Sequence, residues 1–437
     1  MKKSRLSLAV IAGAAVFLCV ATPHADGANP AEVQESSGEL NLRQALELAL
    51  AGNPDLASFP WELRSGDARI RQAGLRPNPE LTVDLEDFLG SGSGPHRRFD
   101  SLQTTLSIGQ LMELGGKRAA RLRLASSEKE VLIWDYEARR ADVAAEVAKS
   151  FVEVLSAQDR LALAEELARL AKEVLNAVAA RVAAGKISPV EETKASVAWS
   201  ISGIELERAR RNIDAARKKL SAAWGSSRPI FSRAVGRLDQ VTPVPLAEDL
   251  VGRISGNPDI ARWAAEIEQR RAVLAQNRAE RIPDVTINAG IRRFREVEDT
   301  AFVAGATIPI PIFNRNQGKI LESQYRISKA EREREAAGNK VLAALSDAYQ
   351  ALATGYAEAT TLKSTVLPGA QSAFEATSEG FRQGKFGYLE VLDAQRTLFE
   401  ARGRYVEALG AYHKAVADTE RLIGGALGES VKSIETK

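Results

Sequence analysis

Between Gly116 and Ala184 the chain runs for 69 residues with almost no turn-forming residue. At 1.5 Å per residue, a helix of that length reaches about 100 Å. A second such run extends from about Asn316 to Gln383. Val147, Val154, Leu161, Ala168, Leu175 and Val182 recur every seven residues in the first run, as do Leu345, Leu352, Ala359, Val366 and Ala373 in the second. Heptad spacing rich in alanine predicts closely packed coiled-coil contacts. Pro368 is discordant and predicts a kink. Each run ends in a short glycine loop, Gly185-Lys186 or Gly384-Lys385, and returns as another helix over 189–224 or 388–423. At the first turn Ser188 can cap, Pro189 suits the first helical position, and Glu191 stands where it completes a capping box. Hairpins this long do not make a compact monomer.

The two runs belong to two related halves. "AGNPDLAS" (51–58) and "SGNPDIAR" (255–262) align at a shift of 204. In the same register "NPELTVDLEDF" (78–88) lies over "IPDVTINAGIR" (282–292). "LSIGQLMELGGK" (106–117) and "AAGKISPVEE" (183–192) face "IPIPIFNRNQGK" (308–319) and "RQGKFGYLEV" (382–391) at shifts of 202 and 199. Ordered matches with so little drift indicate an internal two-fold repeat over 26–245 and 246–425, followed by a tail over 426–437. In each half a short helix (40–52, 246–255) closes at glycine. A longer helical stretch follows (54–76, 258–281), the first one kinked or interrupted at Pro60.

Strands come next, over about 79–90, 99–112, 283–295 and 300–312, with loops at "GSGSGPHRR" (90–98) and "EVEDT" (296–300). Leu81, Val83 and Leu85 alternate with Thr82, Asp84 and Glu86; Leu102, Thr104, Leu106 and Ile108 alternate with Gln103, Thr105 and Ser107. Val285, Ile287, Ala289 and Ile291 oppose Thr286, Asn288 and Arg292. Phe302, Ala304, Ala306, Ile308 and Ile310 oppose a more mixed face. Such runs have the length that crosses an outer membrane at a tilt. They fit two soluble hairpins equally well, and alternation alone does not separate the two readings. The rods do. Four strands fall short of the roughly eight of the smallest transmembrane barrel, so both the strands and the hairpins need further copies. Three would supply twelve strands and a ring of helices.

Residues 1–25 are expected to be a secretory signal: Lys2, Lys3 and Arg5 precede an apolar run from Leu6 to Val20, with Ala25 and Gly27 near the cut. The single cysteine, Cys19, follows Val16-Phe17-Leu18 rather than the small residue that a lipid-attachment site needs, so no lipid anchor is expected. Removing the signal leaves 56 basic against 57 acidic residues. That balance argues against a nucleic-acid partner. No later apolar stretch reaches the length of a spanning helix, which leaves an outer-membrane barrel open.

"QAGLRPNPELTVDLEDFLGSGSG", "QLMELGGKRAAR", "IPIPIFNRNQG" and "FRQGKFGYLEVLDAQRTLF" resemble the TolC family of trimeric outer-membrane ducts, nearest to its CzcC-like branch that serves cobalt, zinc and cadmium efflux. The likeness covers about residues 40–425. It implies a mostly α fold with a β-barrel: a twelve-stranded outer-membrane barrel, four strands per protomer, above a long periplasmic helical tunnel. It implies a homotrimer working with a periplasmic adaptor (membrane fusion protein) and an inner-membrane RND transporter, as a passive exit duct embedded in outer-membrane lipid. Drug efflux or type I protein secretion is the alternative within transport. A soluble periplasmic helical scaffold is the alternative from another class.

The same resemblance places an acidic gate on Glu390 and Asp393, three apart on one helix face. Acids in a first helical turn also suit the helix dipole without any gate. The residues that lock the mouth in the family fall on Phe381 and Phe386, so that polar lock is not carried over. In the first half Glu191 matches Glu390, but Lys194 stands where an acid would be. Gly185, Lys186, Ser188, Gly384 and Lys385 mark the tips expected to meet the adaptor. Asp84 and Glu86 are expected to face the bore. Gly115, Gly116, Pro309 and Pro311 mark the passage from barrel to tunnel, because proline cannot donate to a sheet.

No cofactor is expected. After the signal the chain has only His96, His413 and Met112 as soft metal ligands, too few for a tight metal site. No nucleophile–base pair or phosphate loop points to an enzyme. His413 is expected to be structural, and Arg208, Arg210 and Arg211 a solvated helix face.

Overall fold

The computed structural model describes residues 37–88 and 101–427. The expected signal, the His96 loop and residues 428–437 lie outside the described residues. The first half comprises β1 (Glu39–Leu40), α1 (Leu42–Gly52), α2 (Pro54–Ala57), α3 (Phe59–Ala73), β2 (Glu80–Glu86), β3 (Gln103–Met112), α4 (Lys117–Ala183) and α5 (Pro189–Ala222). The first half ends with β4 (Arg233–Ala234); the second comprises α6 (Ala247–Arg253), α7 (Pro258–Ala279), β5 (Val285–Phe294), β6 (Asp299–Thr307), α8 (Gln317–Thr361), α9 (Leu367–Arg382) and α10 (Tyr388–Ile423). The helical hairpins expected over 116–224 and 316–423 thus form within one or two residues of their expected limits. Pro60 interrupts as expected: the helix breaks at Ser58 and restarts with the proline in its first turn.

Strands β2, β3, β5 and β6 form one antiparallel sheet in that order. β6 ends at Thr307, short of the expected 312. Pro309 and Pro311 lack the amides that a ladder would use, so pairing stops before them. Each strand adjoins one helix in the chain, and the helices pack in the matching order α3–α4–α7–α8. Away from the sheet, α4 packs between α5 and α10, and α10 packs on α8.

The main core lies midway along the rods, where β1 and β4 pair in parallel and α1 packs on α4. Leu40, Val147, Phe151, Val154, Leu220, Phe231 and Leu409 are buried there. Each fully buried side chain of this size stabilises the fold by about 1.5–3 kcal/mol, so this cluster anchors both hairpins.

The heptad seam is buried only in part: in α4, Leu161, Ala168, Leu175 and Val182 are half-buried, and Ala157, Ala171 and Val178 are buried instead. Val147, Val154, Leu345, Leu352 and Ala359 are buried, but Val366 is 39% exposed and Ala373 is exposed. Between α8 and α9 the chain makes one π-helical turn, Leu362–Val366. Pro368 follows after Leu367 and has no amide to give to the preceding turn. The turn inserts one residue, which moves the seam from 366 and 373 to Leu367 and Phe374, and these two pack against Ala370, Leu398 and Ala401. The expected kink at Pro368 therefore takes the form of a phase shift.

The repeated Asn-Pro phrase is a clip. Asn53 Oδ1 accepts from the amides of Asp55 and Leu56, and its Nδ2 donates to Ala223 O at 2.7 Å. Asn257 Oδ1 accepts from Asp259 and Ile260, and its Nδ2 donates to Leu422 O at 2.9 Å. In both halves one side chain caps the outgoing helix and ties it to the end of the returning rod.

His413 is buried on α10, with Nε2 2.9 Å from Leu238 O. Burial, outweighing that contact and nearby Asp239, holds its pKa below the ordinary 6.5. The unfolded chain protonates near 6.5 while the folded chain does not, so the stabilisation is full above that pH. It is lost as pH falls from there through the folded value. Thermal unfolding at pH 7.5 and 5.5 is expected to show this loss, and His413→Gln to remove the part of it that belongs to His413.

Candidate functional site

The sheet has two unlike faces because its register aligns the alternation of all four strands. On one face lie the rows Val83–Leu106–Ile291–Phe302 and Leu81–Ile108–Ala289–Ala304. These apolar side chains point to solvent: Phe302 is 92% exposed and Leu81 67%. On the other lie Asp84–Thr105–Arg292–Ala301 and Thr82–Ser107–Gly290–Val303. A sheet of a water-soluble protein buries its apolar face; this one leaves it exposed. Among the described residues, neither edge strand, β2 or β6, pairs on its outer side.

The far ends of the rods are the second region. α4 closes at Gly185 (φ +70°) and α9 at Gly384 (φ +76°). In both tips the glycine amide returns to the carbonyl three residues back, Val182 or Phe381, and the lysine amide to the one five back, Arg181 or Gly380. This double bond pattern needs a left-handed residue, hence glycine. The two tips also touch. Arg181 lies 4.1 Å from the centre of the Phe381 ring and donates Nη2 to Phe381 O at 3.0 Å. Val178, Ala195 and Tyr388 are buried between the hairpins, with Ile187 and Phe381 beside them.

A family model described as "Outer membrane efflux protein" matches residues 45–226 and 253–425. The chain belongs to the outer membrane efflux protein family. The cobalt-zinc-cadmium resistance protein CzcC of Cupriavidus metallidurans is 40% identical to this efflux protein over 90% of the chain and 92% of its own length. The nickel and cobalt resistance protein CnrC of the same organism is 30% identical over 66% of the chain and 67% of its own. Among solved structures, one of CusC, concerned with folding and transmembrane channel formation, superposes with a TM-score of 0.74 at 18% identity, covering 90% of this chain and 96% of that one. The outer membrane protein VceC from Vibrio cholerae gives 0.71 at 18% identity, covering 88% and 96%. The efflux protein resides in the outer membrane, and its fold is TolC-like and mostly helical. No helix among the described residues is long and apolar enough to cross a membrane.

The structure places the expected site residues as follows. Glu390 and Asp393 are exposed on the first turns of α10, and neither forms an ion pair among the described residues. Glu390 folds back over its own helix start, with Oε2 2.8 Å from where a Cβ on Gly387 would sit. Ser188 caps Val190 N at 3.3 Å. Glu191 does not complete the capping box; Lys194 draws its carboxylate away into an ion pair at 3.0 Å. Lys186 and Lys385 are exposed at the tips. Gly115 and Gly116 both take left-handed φ between β3 and α4. A Cβ on Gly115 would meet Ile282 at 2.8 Å. Pro309 and Pro311 lie in the exposed link from β6 to α8. Asp84 and Glu86 share the polar face, but Glu86 pairs with Arg292 at 3.2 Å. Sequence reasoning misses that pairing, although alternation puts Arg292 on the polar face. It also misses Arg181, whose partner lies 200 residues away.

Proposed function

We propose that three copies of this efflux protein close head to tail into a twelve-stranded barrel continued by a helical tunnel. The trimer would be the passive outer-membrane exit of a three-part pump. One observation carries the reading: an exposed apolar sheet face lies between two open edges. Closure pairs β2 with β6 of the next copy, which removes edges that would otherwise recruit other strands. The helices support the same closure, because their open ends lie on the same sides. α5 bears exposed Val190, Val197, Ile201 and Ile204, and α8 bears Leu321, Tyr325 and Leu342. The apolar face then meets lipid and the polar face, with Asp84 and Glu86, lines a water-filled bore. Gly115, Gly116, Pro309 and Pro311 form the joint between barrel and tunnel.

The cargo is divalent cobalt, zinc and cadmium, by analogy with the resistance named in CzcC. The duct performs no catalysis and holds no cofactor. The tips at Gly185, Lys186, Ser188, Gly384 and Lys385 meet the periplasmic adaptor, which links the duct to an inner-membrane RND transporter. Three copies of Glu390 and Asp393 ring the periplasmic mouth and favour cations, while the Arg181–Phe381 tie holds the tips of each copy together.

The direct test is conductance of the purified protein in planar bilayers, beside metal sensitivity of a strain lacking the gene. Glu390→Gln with Asp393→Asn is expected to lower cation preference by about twofold or more. Unchanged preference in a conducting double variant removes the gate assignment. A protein that is monomeric and water-soluble without detergent removes the duct.

A further inference from the structure

The polar face of the sheet carries Glu80, Asp84, Glu86 and Asp299, together with one basic side chain, Arg292. Arg292 extends from β5 across β3 to β2. Its Nε donates to Thr105 Oγ1 at 2.9 Å, its Nη1 reaches Gln103 Oε1 at 3.4 Å, and its Nη2 lies 3.2 Å from Glu86 Oε2. Thr105 is 4% exposed, and Gln103 in turn donates Nε2 to Asp87 Oδ2 at 2.7 Å. Partners on two strands therefore hold this guanidinium in one place. A surface arginine with a single mobile partner would contribute little to a local field.

The rest of the face explains why this position matters. Towards the helices the polar face is built from Thr82, Ser107, Gly290, Gly109 and Gly305, whose side chains are short or absent. A Cβ on Gly290 would collide with Leu106 O. Apart from Glu80 at the helix end, the long charged side chains of this face lie towards the loop end. Asp84 is there too, in the same cross-strand row as Arg292, and forms no ion pair among the described residues. Among the described residues, Arg292 thus pairs with one acid of the collar and leaves Asp84 and Asp299 without an ion pair.

We infer that Arg292 is the specificity-determining counter-charge of the bore's outer end: by neutralising Glu86 it sets how strongly the collar prefers cations. The inference rests on the duct reading. In a closed trimer the guanidinium recurs three times around one passage. Charges separated by less than the Debye length of about 8 Å are incompletely screened, so three small local changes act on every passing ion.

The experiment measures reversal potential across a planar bilayer under a tenfold KCl gradient, with the full-length protein. Arg292→Gln is expected to raise the potassium-to-chloride permeability ratio by about twofold or more. Arg292→Lys, which keeps the charge, is expected to stay near the wild type. Glu86→Gln leaves Arg292 uncompensated and is expected to shift the ratio the opposite way, and combining it with Arg292→Gln to return the ratio towards the wild type. A purely structural arginine would change yield or oligomer stability without this ordered pattern. If Arg292→Gln and Glu86→Gln both conduct with the wild-type reversal potential, the inference is overturned. A wild-type protein that conducts nothing overturns the duct reading and this inference with it.

Discussion

Ile291→Arg is expected to keep the protein out of the outer membrane. Ile291 sits in the middle of the row Val83–Leu106–Ile291–Phe302, on the face whose large apolar side chains are exposed. An arginine on the lipid side of a transmembrane strand costs about 2–4 kcal/mol near the midplane. Three symmetric copies multiply that cost within one barrel, which makes it comparable to the whole stability of a folded domain. The control is one residue out of phase. Thr82 lies on the opposite face in the adjacent row, and a one-residue step along a strand reverses the side on which a chain projects. Thr82→Lys is therefore expected to insert and assemble like the wild type. Membrane fractionation and the detergent-resistant oligomer on gels read both variants. Normal insertion of Ile291→Arg would mean that this face does not meet lipid.

The contrast between these positions is legible in the amino-acid sequence, because a strand's period of two maps sequence parity onto faces. Arg292 falls on the polar side by the same parity. Its partner Glu86 is not legible, since which strands lie side by side depends on sheet order, and β3 lies between β2 and β5. The rods are legible for a similar reason. A seven-residue period marks each rod, and Val147, Val154, Leu345 and Leu352 are buried where it puts them, while Leu161, Ala168, Leu175 and Val182 are only half-buried. It fails at Val366, where one extra residue in a π turn moves the seam to Leu367 and Phe374. Proline announces a disturbance there, but a kink and a phase shift have the same signature in the sequence. At the tips the glycines are legible as turns. The Arg181–Phe381 tie is not, because it joins the ends of two hairpins that meet only after both have folded.

The second large effect is expected at Asn257. Its side chain is 0% exposed and serves both ends of a junction: Oδ1 caps the amides of Asp259 and Ile260, and Nδ2 holds the carbonyl of Leu422. Asn257→Ala removes the cap, worth about 1 kcal/mol. It also strands buried polar groups, at about 1–3 kcal/mol, so a loss of about 2–4 kcal/mol is expected. Asn257→Ser keeps a capping oxygen but is too short to reach Leu422, and its loss is expected to fall between. At Asn53 the same bonds are made in a half-buried setting, where water can replace them, so Asn53→Ala is expected to cost less. The ordering matters more than any single value. If capping alone explained the repeated phrase, the two alanine variants would lose equally and serine would restore the wild type at both sites. If the tie to the returning rod is the reason, Asn257→Ala unfolds at the lowest temperature of the four proteins, wild type included, as followed by loss of helical signal on heating. Equal midpoints for the two alanine variants would separate the phrase from the junction it occupies, and leave turn chemistry as its whole explanation.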